Sequence, residues 1–213
     1  MRFGVDEAGK GPVLGSMFAA AVLADPATLP DGVADSKRLS RGRRDELATA
    51  IRETPDVAVA LAEIPPAVID DPETDMNTLT VRAQAEALSQ VATDGHRGLL
   101  DAGDTDETRF ASRVDRRIDA DVQITAEHGA DDSDVLVAAA SIVAKVARDE
   151  HVDGLATEYD ADLGSGYPSD ETTMDFLRGF VDEYGRLPDC ARESWSTSQR
   201  LLATAEQSGL DQF

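Results

Sequence analysis

Cysteine occurs once, at Cys190, so no internal disulfide can form and an oxidising compartment is not needed for folding. Lysine is nearly as scarce: Lys10, Lys37 and Lys145 are the only three, and arginine carries the other positive charges. The histidines His96, His128 and His151 are scattered and have no partner pattern. Zinc-ligand spacing and histidine-based nucleophilic catalysis are therefore set aside. No apolar run reaches membrane-spanning length. The N-terminus has no basic region followed by an apolar segment, so the expectation is a cytoplasmic protein with no membrane partner. Internal repeats and low-complexity tracts are also missing.

Acid is what the chain has in excess. Asp and Glu number 42 against 20 Lys and Arg, a net charge of −22 with pI ≈ 4.3. Such a polyanion repels nucleic acid at low ionic strength. At about 1 M salt, however, the screening length falls to roughly 3 Å. The acids are dispersed and alanine is abundant, a composition that fits a cytoplasm holding molar salt. The charge then reports the solvent rather than the ligand. With 213 residues, 41% of them hydrophobic, the chain suffices for one sizeable core. The expected organisation is a single domain over residues 1–206, a monomer, with a short tail at 207–213.

Apolar patterning outlines the fold. Residues 2–7 read as a strand ending in carboxylates, and 13–23 as a buried second strand after a Gly-Pro turn. Val57, Val59 and Leu61 alternate as a third strand, 98–101 is a fourth that stops at Asp101, and 121–126 a fifth. Helices are expected over 41–52 behind an N-cap at Ser40, and over 78–91, 135–151, 170–184 and 193–205. Residues 104–119 are densely charged and weakly periodic. Alternating strands and helices give an α/β class: a mixed five-stranded sheet flanked by helices, with a C-terminal helical extension. Asp6, Asp101 and Asp131 all fall at or just beyond strand ends, where open α/β sheets build their sites.

The chemistry concentrates in Asp6-Glu7-Ala8-Gly9-Lys10-Gly11-Pro12. Paired carboxylates supply the oxygen ligands that hard divalent cations take. A glycine-flanked lysine beside them offers backbone N–H groups and a point charge to phosphate. Metal and phosphate together point to phosphodiester chemistry. In an ideal strand Asp6 and Glu7 face opposite ways, so the longer glutamate or a break in extension must bring them together. Gly4-x-x-x-x-Gly9-Lys10-Gly11 also nearly matches the phosphate-cradling loop of nucleotide hydrolases. Gly11 stands where that loop needs a Ser or Thr, and the carboxylates lie where phosphates should sit.

Further blocks extend this pattern: Asp35-Ser36-Lys37-Arg38-Leu39, Leu100-Asp101-Ala102, Ala126-Glu127-His128-Gly129-Ala130-Asp131, Ala139–Asp149 and Gly164-Ser165-Gly166-Tyr167-Pro168-Ser169-Asp170. In this order they resemble ribonuclease HII, the type 2 ribonuclease H, in an archaeal, halophile-like form. The resemblance implies a ribonuclease H-like fold with four acidic residues, Asp6, Glu7, Asp101 and Asp131, that are catalytic and hold two Mg²⁺ or Mn²⁺ ions. It implies cleavage of the RNA strand of RNA–DNA hybrids. It also implies cutting 5′ of single ribonucleotides in duplex DNA, leaving 3′-hydroxyl and 5′-phosphate ends. Gly9, Lys10 and Gly11 would approach the strand, Lys10 standing where the family commonly has arginine. Tyr167 resembles the tyrosine that stacks on the sugar at the junction. Lys37 and Lys145 would contact phosphate or position the acids through salt bridges, and Ser141 would contact phosphate or merely pack in its alanine-rich helix.

The last seven residues carry Gln207, Leu210 and Phe213 at the spacing of the box by which replication proteins bind the sliding clamp PCNA. There an aliphatic and an aromatic anchor enter a hydrophobic groove. The competing readings are a nucleotide hydrolase using the near-match loop and a non-catalytic clamp-associated protein.

Overall fold

The computed structural model describes residues 1–33 and 39–210, the last three by their backbone. Lys37 and Phe213, both singled out above, lie outside the described residues, as does the side chain of Leu210.

Strands β1 (Arg2–Ala8), β2 (Met17–Ala24), β3 (Ala58–Ile64), β4 (Arg97–Asp101) and β5 (Gln123–Glu127) form a sheet in the order β3-β2-β1-β4-β5. β1 and β2 are antiparallel, with Asp6 opposite Ala20 and Glu7 opposite Ala19. β1 pairs with β4, and β4 with β5, in parallel. This is the expected mixed sheet. Short connections close antiparallel pairs, whereas parallel neighbours need crossovers.

The helices among the described residues are α1 (Arg41–Glu53), α2 (Pro66–Ile69), α3 (Met76–Ser89), α4 (Glu107–Asp115), α5 (Val135–Glu158), α6 (Glu171–Tyr184) and α7 (Ser196–Leu210). Helices α1, α3, α4 and α6 start on a side-chain cap. Ser40, Asp75, Asp106 and Asp170 accept from the backbone N–H of Arg43, Thr78, Arg109 and Thr172. Each cap satisfies a donor that the first helical turn leaves without a partner.

Two compact units result. The first comprises Met1–Ala8, Met17–Glu63 and Asp75–Arg148; the second comprises Gly9–Ser16, Ile64–Thr74 and Asp149 onward. In the first unit β2 is buried along its whole length, as a strand covered on both faces must be. Its Ala20, Val22 and Ala24 pack with Leu47 and Ile51 of α1 and with Leu136, Ile142 and Val143 of α5. On the opposite face α3 packs against β1 and β2, and α4 against β5. Gly4 allows α5 to lie directly on β1, since a Cβ there would stand 2.2 Å from the Leu136 carbonyl carbon. The second unit has its own core, in which Val13, Leu14, Val152, Leu163, Leu177 and Val181 meet. Cys190 lies in that core, its thiol pushed up to about 11 by burial. The thiol is inert at neutral pH.

Several boundaries differ from expectation. β2 begins at Met17 because Val13 and Leu14 turn their N–H groups to the Gly166 carbonyl, at 2.8 and 3.2 Å. Residues 107–115 are helical: Phe110, Ala111 and Val114 form a narrow buried stripe in an otherwise charged segment. α5 continues past His151 to Glu158, and α7 runs to Leu210. Arg148 is buried.

Candidate active site

Strand alternation decides how the first unit presents its acids. Asp6 lies on the β1 face that carries Gly4, toward α5, and Glu7 on the face toward α3. No break in extension intervenes, because β1 stays regular through Ala8. Parallel register sets Asp101, the last residue of β4, beside Asp6. The carboxyl of Asp6 is only 5% exposed, and burial lifts it well above the usual carboxylate range. Glu7 adds to the rise, and Asp101 adds a smaller part. Both neighbours disfavour a further negative charge.

Three polar groups hold this acidic cluster. The fully buried Ser141 hydroxyl bonds the Asp6 carboxyl and works against the rise. One turn along α5, Lys145 Nζ donates to Ser141 Oγ at 2.8 Å. Ser141 therefore sits beneath the acid, bonded to its carboxyl. On the opposite face Gln84 of α3, absent from the sequence reading, donates through Nε2 to Glu7 Oε2 at 2.6 Å and to the Asp101 carbonyl at 2.9 Å. It is fully buried, and its Oε1 has no hydrogen-bond partner among the described residues. A glutamine on the buried stripe of an alanine-rich helix was the available signal.

Asp101 turns its own carboxylate to the following segment, Oδ1 accepting from Gly129 N at 2.8 Å and Ala130 N at 3.4 Å. That bond ties the 3₁₀ turn Ala130–Asp132 to the end of β4. Asp131 occupies this turn and is 7% exposed. Helix α5 is capped by Asp134, whose Oδ1 accepts from Leu136 N at 2.8 Å and which also pairs with Arg2.

An all-carboxylate donor set suits a hard divalent cation, whose charge would relieve the crowding felt by Asp6. Among the described residues no three His, Cys, Asp or Glu side chains close on a common point. Their present partners account for this, since Gln84 holds Glu7 and the Gly129 amide holds Asp101. The donor chemistry fits an ion, and the side chains are gathered without being closed into a ligand cage.

The glycine-lysine loop belongs to the second unit. Gly9 adopts φ +92°, a conformation that favours glycine and turns the chain sharply after β1. Arg192 Nη2 donates to the Gly9 carbonyl at 2.6 Å, Nη1 to that of Lys10 at 3.0 Å and Nε to that of Gly15 at 2.9 Å. The Tyr167 ring lies against Gly11, where an added Cβ would be 3.5 Å from Cε1. Tyr167 is 39% exposed, among the few large hydrophobic side chains that are. His151 Nε2 accepts from Ser16 N at 3.2 Å, fixing the far end of the loop.

This geometry removes the nucleotide-hydrolase reading. Gly4 to Ala8 is regular strand, and no helix follows Gly11 to offer its N-terminus to a phosphate. No helix among the described residues is long and apolar enough to cross a membrane.

Comparison with known proteins gives matches along nearly the whole chain. The family model for ribonuclease HII matches residues 3–198. A ribonuclease HII of Halobacterium salinarum is 66% identical over 100% of this chain and 99% of its own length. The crystal structure of ribonuclease H2 from Pyrococcus horikoshii superposes with a TM-score of 0.87 at 33% identity, covering 97% of this chain and 99% of that one. A ribonuclease HII from Archaeoglobus fulgidus, solved as a complex with PCNA, gives 0.83 at 35% identity over 94% and 96%. The sheet and its flanking helices are thus the ribonuclease H-like fold, and this chain belongs to the ribonuclease HII family.

Proposed function

We propose that this nuclease cleaves the RNA strand of RNA–DNA hybrids. We propose also that it cuts 5′ of single ribonucleotides in duplex DNA, leaving 3′-hydroxyl and 5′-phosphate ends. The observation that carries the reading is the gathering of Asp6, Glu7 and Asp101 at the ends of β1 and β4, close enough for Glu7 and Asp101 to raise Asp6. Those three residues and Asp131 would hold Mg²⁺ or Mn²⁺. When bound, a metal pair supplies an activated water and charge stabilisation at the leaving oxygen. Ser141 and Lys145 orient Asp6, and Gln84 orients Glu7.

Gly9, Lys10 and Gly11 contact the strand, and Tyr167 packs on the sugar, where the 2′-hydroxyl distinguishes RNA from DNA. Lysine gives Lys10 a point charge without the bidentate fork of arginine. In a duplex with one ribonucleotide, the expected result is a single incision on its 5′ side that requires added Mg²⁺ or Mn²⁺. An all-DNA duplex remains intact. Incision that persists in excess chelator, or cutting of the all-DNA control, counts against the assignment.

Gln207, Leu210 and Phe213 are proposed to bind a sliding clamp, a reading supported by the archaeal relative solved with PCNA. Deleting residues 207–213 is expected to abolish clamp binding by surface plasmon resonance and to leave cleavage of a free oligonucleotide within about twofold. Unchanged clamp affinity would reduce the spacing to coincidence.

A further inference from the structure

Arg192 is the largest fully enclosed side chain among the described residues. Taking a guanidinium out of water is costly unless its donors are paired. Here three of its side-chain N–H groups go to carbonyls of one loop, those of Gly9, Lys10 and Gly15. Its backbone N–H goes to the same loop, reaching the Val13 carbonyl at 2.8 Å. The guanidinium also lies over the Trp195 ring, 5.0 Å from its centroid, and Trp195 Nε1 donates to the Gly11 carbonyl at 3.4 Å. Three consecutive carbonyls, those of residues 9, 10 and 11, are therefore held by one short segment.

That segment is itself fixed. The Asp70 carboxylate accepts from Glu193 N at 2.8 Å, Ser194 N at 2.9 Å and Ser194 Oγ at 2.5 Å. Ala191 bridges to Leu14. On the other side of the loop, Gly166 takes the Val13 and Leu14 amides on its carbonyl and anchors its own N–H on Thr173 Oγ1 at 2.9 Å. The loop that carries Tyr167 and the loop that carries Lys10 thus share one hydrogen-bonded frame.

Peptide geometry turns this frame into a recognition device. In a planar trans peptide the C=O and the following N–H point in opposite directions. With the Gly9 and Lys10 carbonyls drawn onto Arg192, the N–H groups of Lys10 and Gly11 are aimed the other way. Two successive amides pointing outward make a small concavity suited to an anionic oxygen. Among the described residues Gly11 N–H makes no backbone hydrogen bond, and residue 12 is proline, which has no N–H to add.

We propose that Arg192 is a positioning residue for substrate recognition: its rigid fork sets the two peptide planes that offer the Lys10 and Gly11 N–H groups to a nucleic-acid phosphate, with Trp195 bracing the third. The role rests on the reading of residues 9–11 as a substrate-contacting loop. Lysine cannot reproduce it, because a single ammonium cannot span three carbonyls in a fixed plane.

The test compares Arg192→Lys, Trp195→Phe and Lys10→Ala with the unaltered protein on a duplex carrying one ribonucleotide, after circular dichroism shows each folded. Arg192→Lys is expected to raise KM about tenfold or more and to leave kcat within about twofold, the pattern of lost binding common to ground and transition states. Trp195→Phe keeps the ring but loses the bond to Gly11, and raises KM by roughly threefold. Should Arg192→Lys not fold, Trp195→Phe decides alone. A lowered kcat at unchanged KM, or wild-type values in both folded variants, overturns the role of Arg192. Lys10→Ala separates the two levels: it removes the side-chain charge and keeps the backbone N–H groups, so a wild-type KM there counts against the Lys10 side chain as a substrate contact and leaves the Arg192 and Trp195 variants to decide the backbone role. A raised KM in Lys10→Ala together with unchanged Arg192→Lys removes only the positioning role.

Discussion

Asp6→Asn should leave the protein folded, more heat-resistant without metal, and almost inactive. The loss of incision is expected to exceed the roughly 10- to 100-fold that removal of an outer partner of a metal ligand costs. Asparagine keeps the size of the side chain and can still bond Ser141, so lost activity reports the missing charge rather than a collapsed site. The stability gain follows from the raised proton affinity of Asp6. Unfolded, the carboxyl titrates at about 3.9; folded, it titrates higher because it is buried beside Glu7 and Asp101. Between those two values the folded chain holds more protons than the unfolded one, so stability falls as pH rises through that window. Below the unfolded value the effect vanishes. Asparagine removes the penalty, and each kcal/mol recovered raises Tm by roughly 2–4 °C in a domain of this length. Thermal melts in chelator at pH 4 and pH 8 check this, the variant gaining more at pH 8. Equal melting temperatures at both pH values would refute the crowding of charge, and retained incision would refute the role of Asp6.

Salt should act on this chain opposite to its usual effect on nucleic-acid binders. A net charge of −22 repels itself at low ionic strength. Raising KCl from about 0.1 to 1 M shortens the screening length from roughly 10 Å to 3 Å. Melting temperature is expected to climb by roughly 10 °C or more over that range, the shift that several kcal/mol produces at this size. Incision rates follow the folded fraction upward, although counterion release weakens each phosphate contact. A Tm that peaks below about 0.3 M would show that self-repulsion does not limit this fold.

Much of the architecture was legible because the sheet is built from runs that only a sheet can bury. The alanine-rich Phe18–Ala24 run has no polar face to offer solvent, and Leu99-Leu100-Asp101 stops at its acid. The helix over Glu107–Asp115 was missed because only Phe110, Ala111 and Val114 face inward, a stripe too narrow to stand out among charges. Val13 and Leu14 looked like strand because burial alone makes residues apolar, whichever core receives them. Among the site groups, the Asp6-Glu7 pair and the end of β4 could be read directly, and so could the problem that alternation poses for Glu7. Gln84 and Arg192 could not. Both act through backbone or side-chain acceptors remote in sequence, and composition gives no hint of which donor meets which acceptor.

Gly4 shows how little matter can govern the chemistry two residues away. Helix α5 rests on the space where a methyl group would be, and Ser141 and Lys145 ride on that helix. An alanine at this position would lift the helix like a wedge under a door, carrying the hydroxyl away from Asp6. A single hydrogen atom at Gly4 thus guards the bond on which the placement of Asp6 depends.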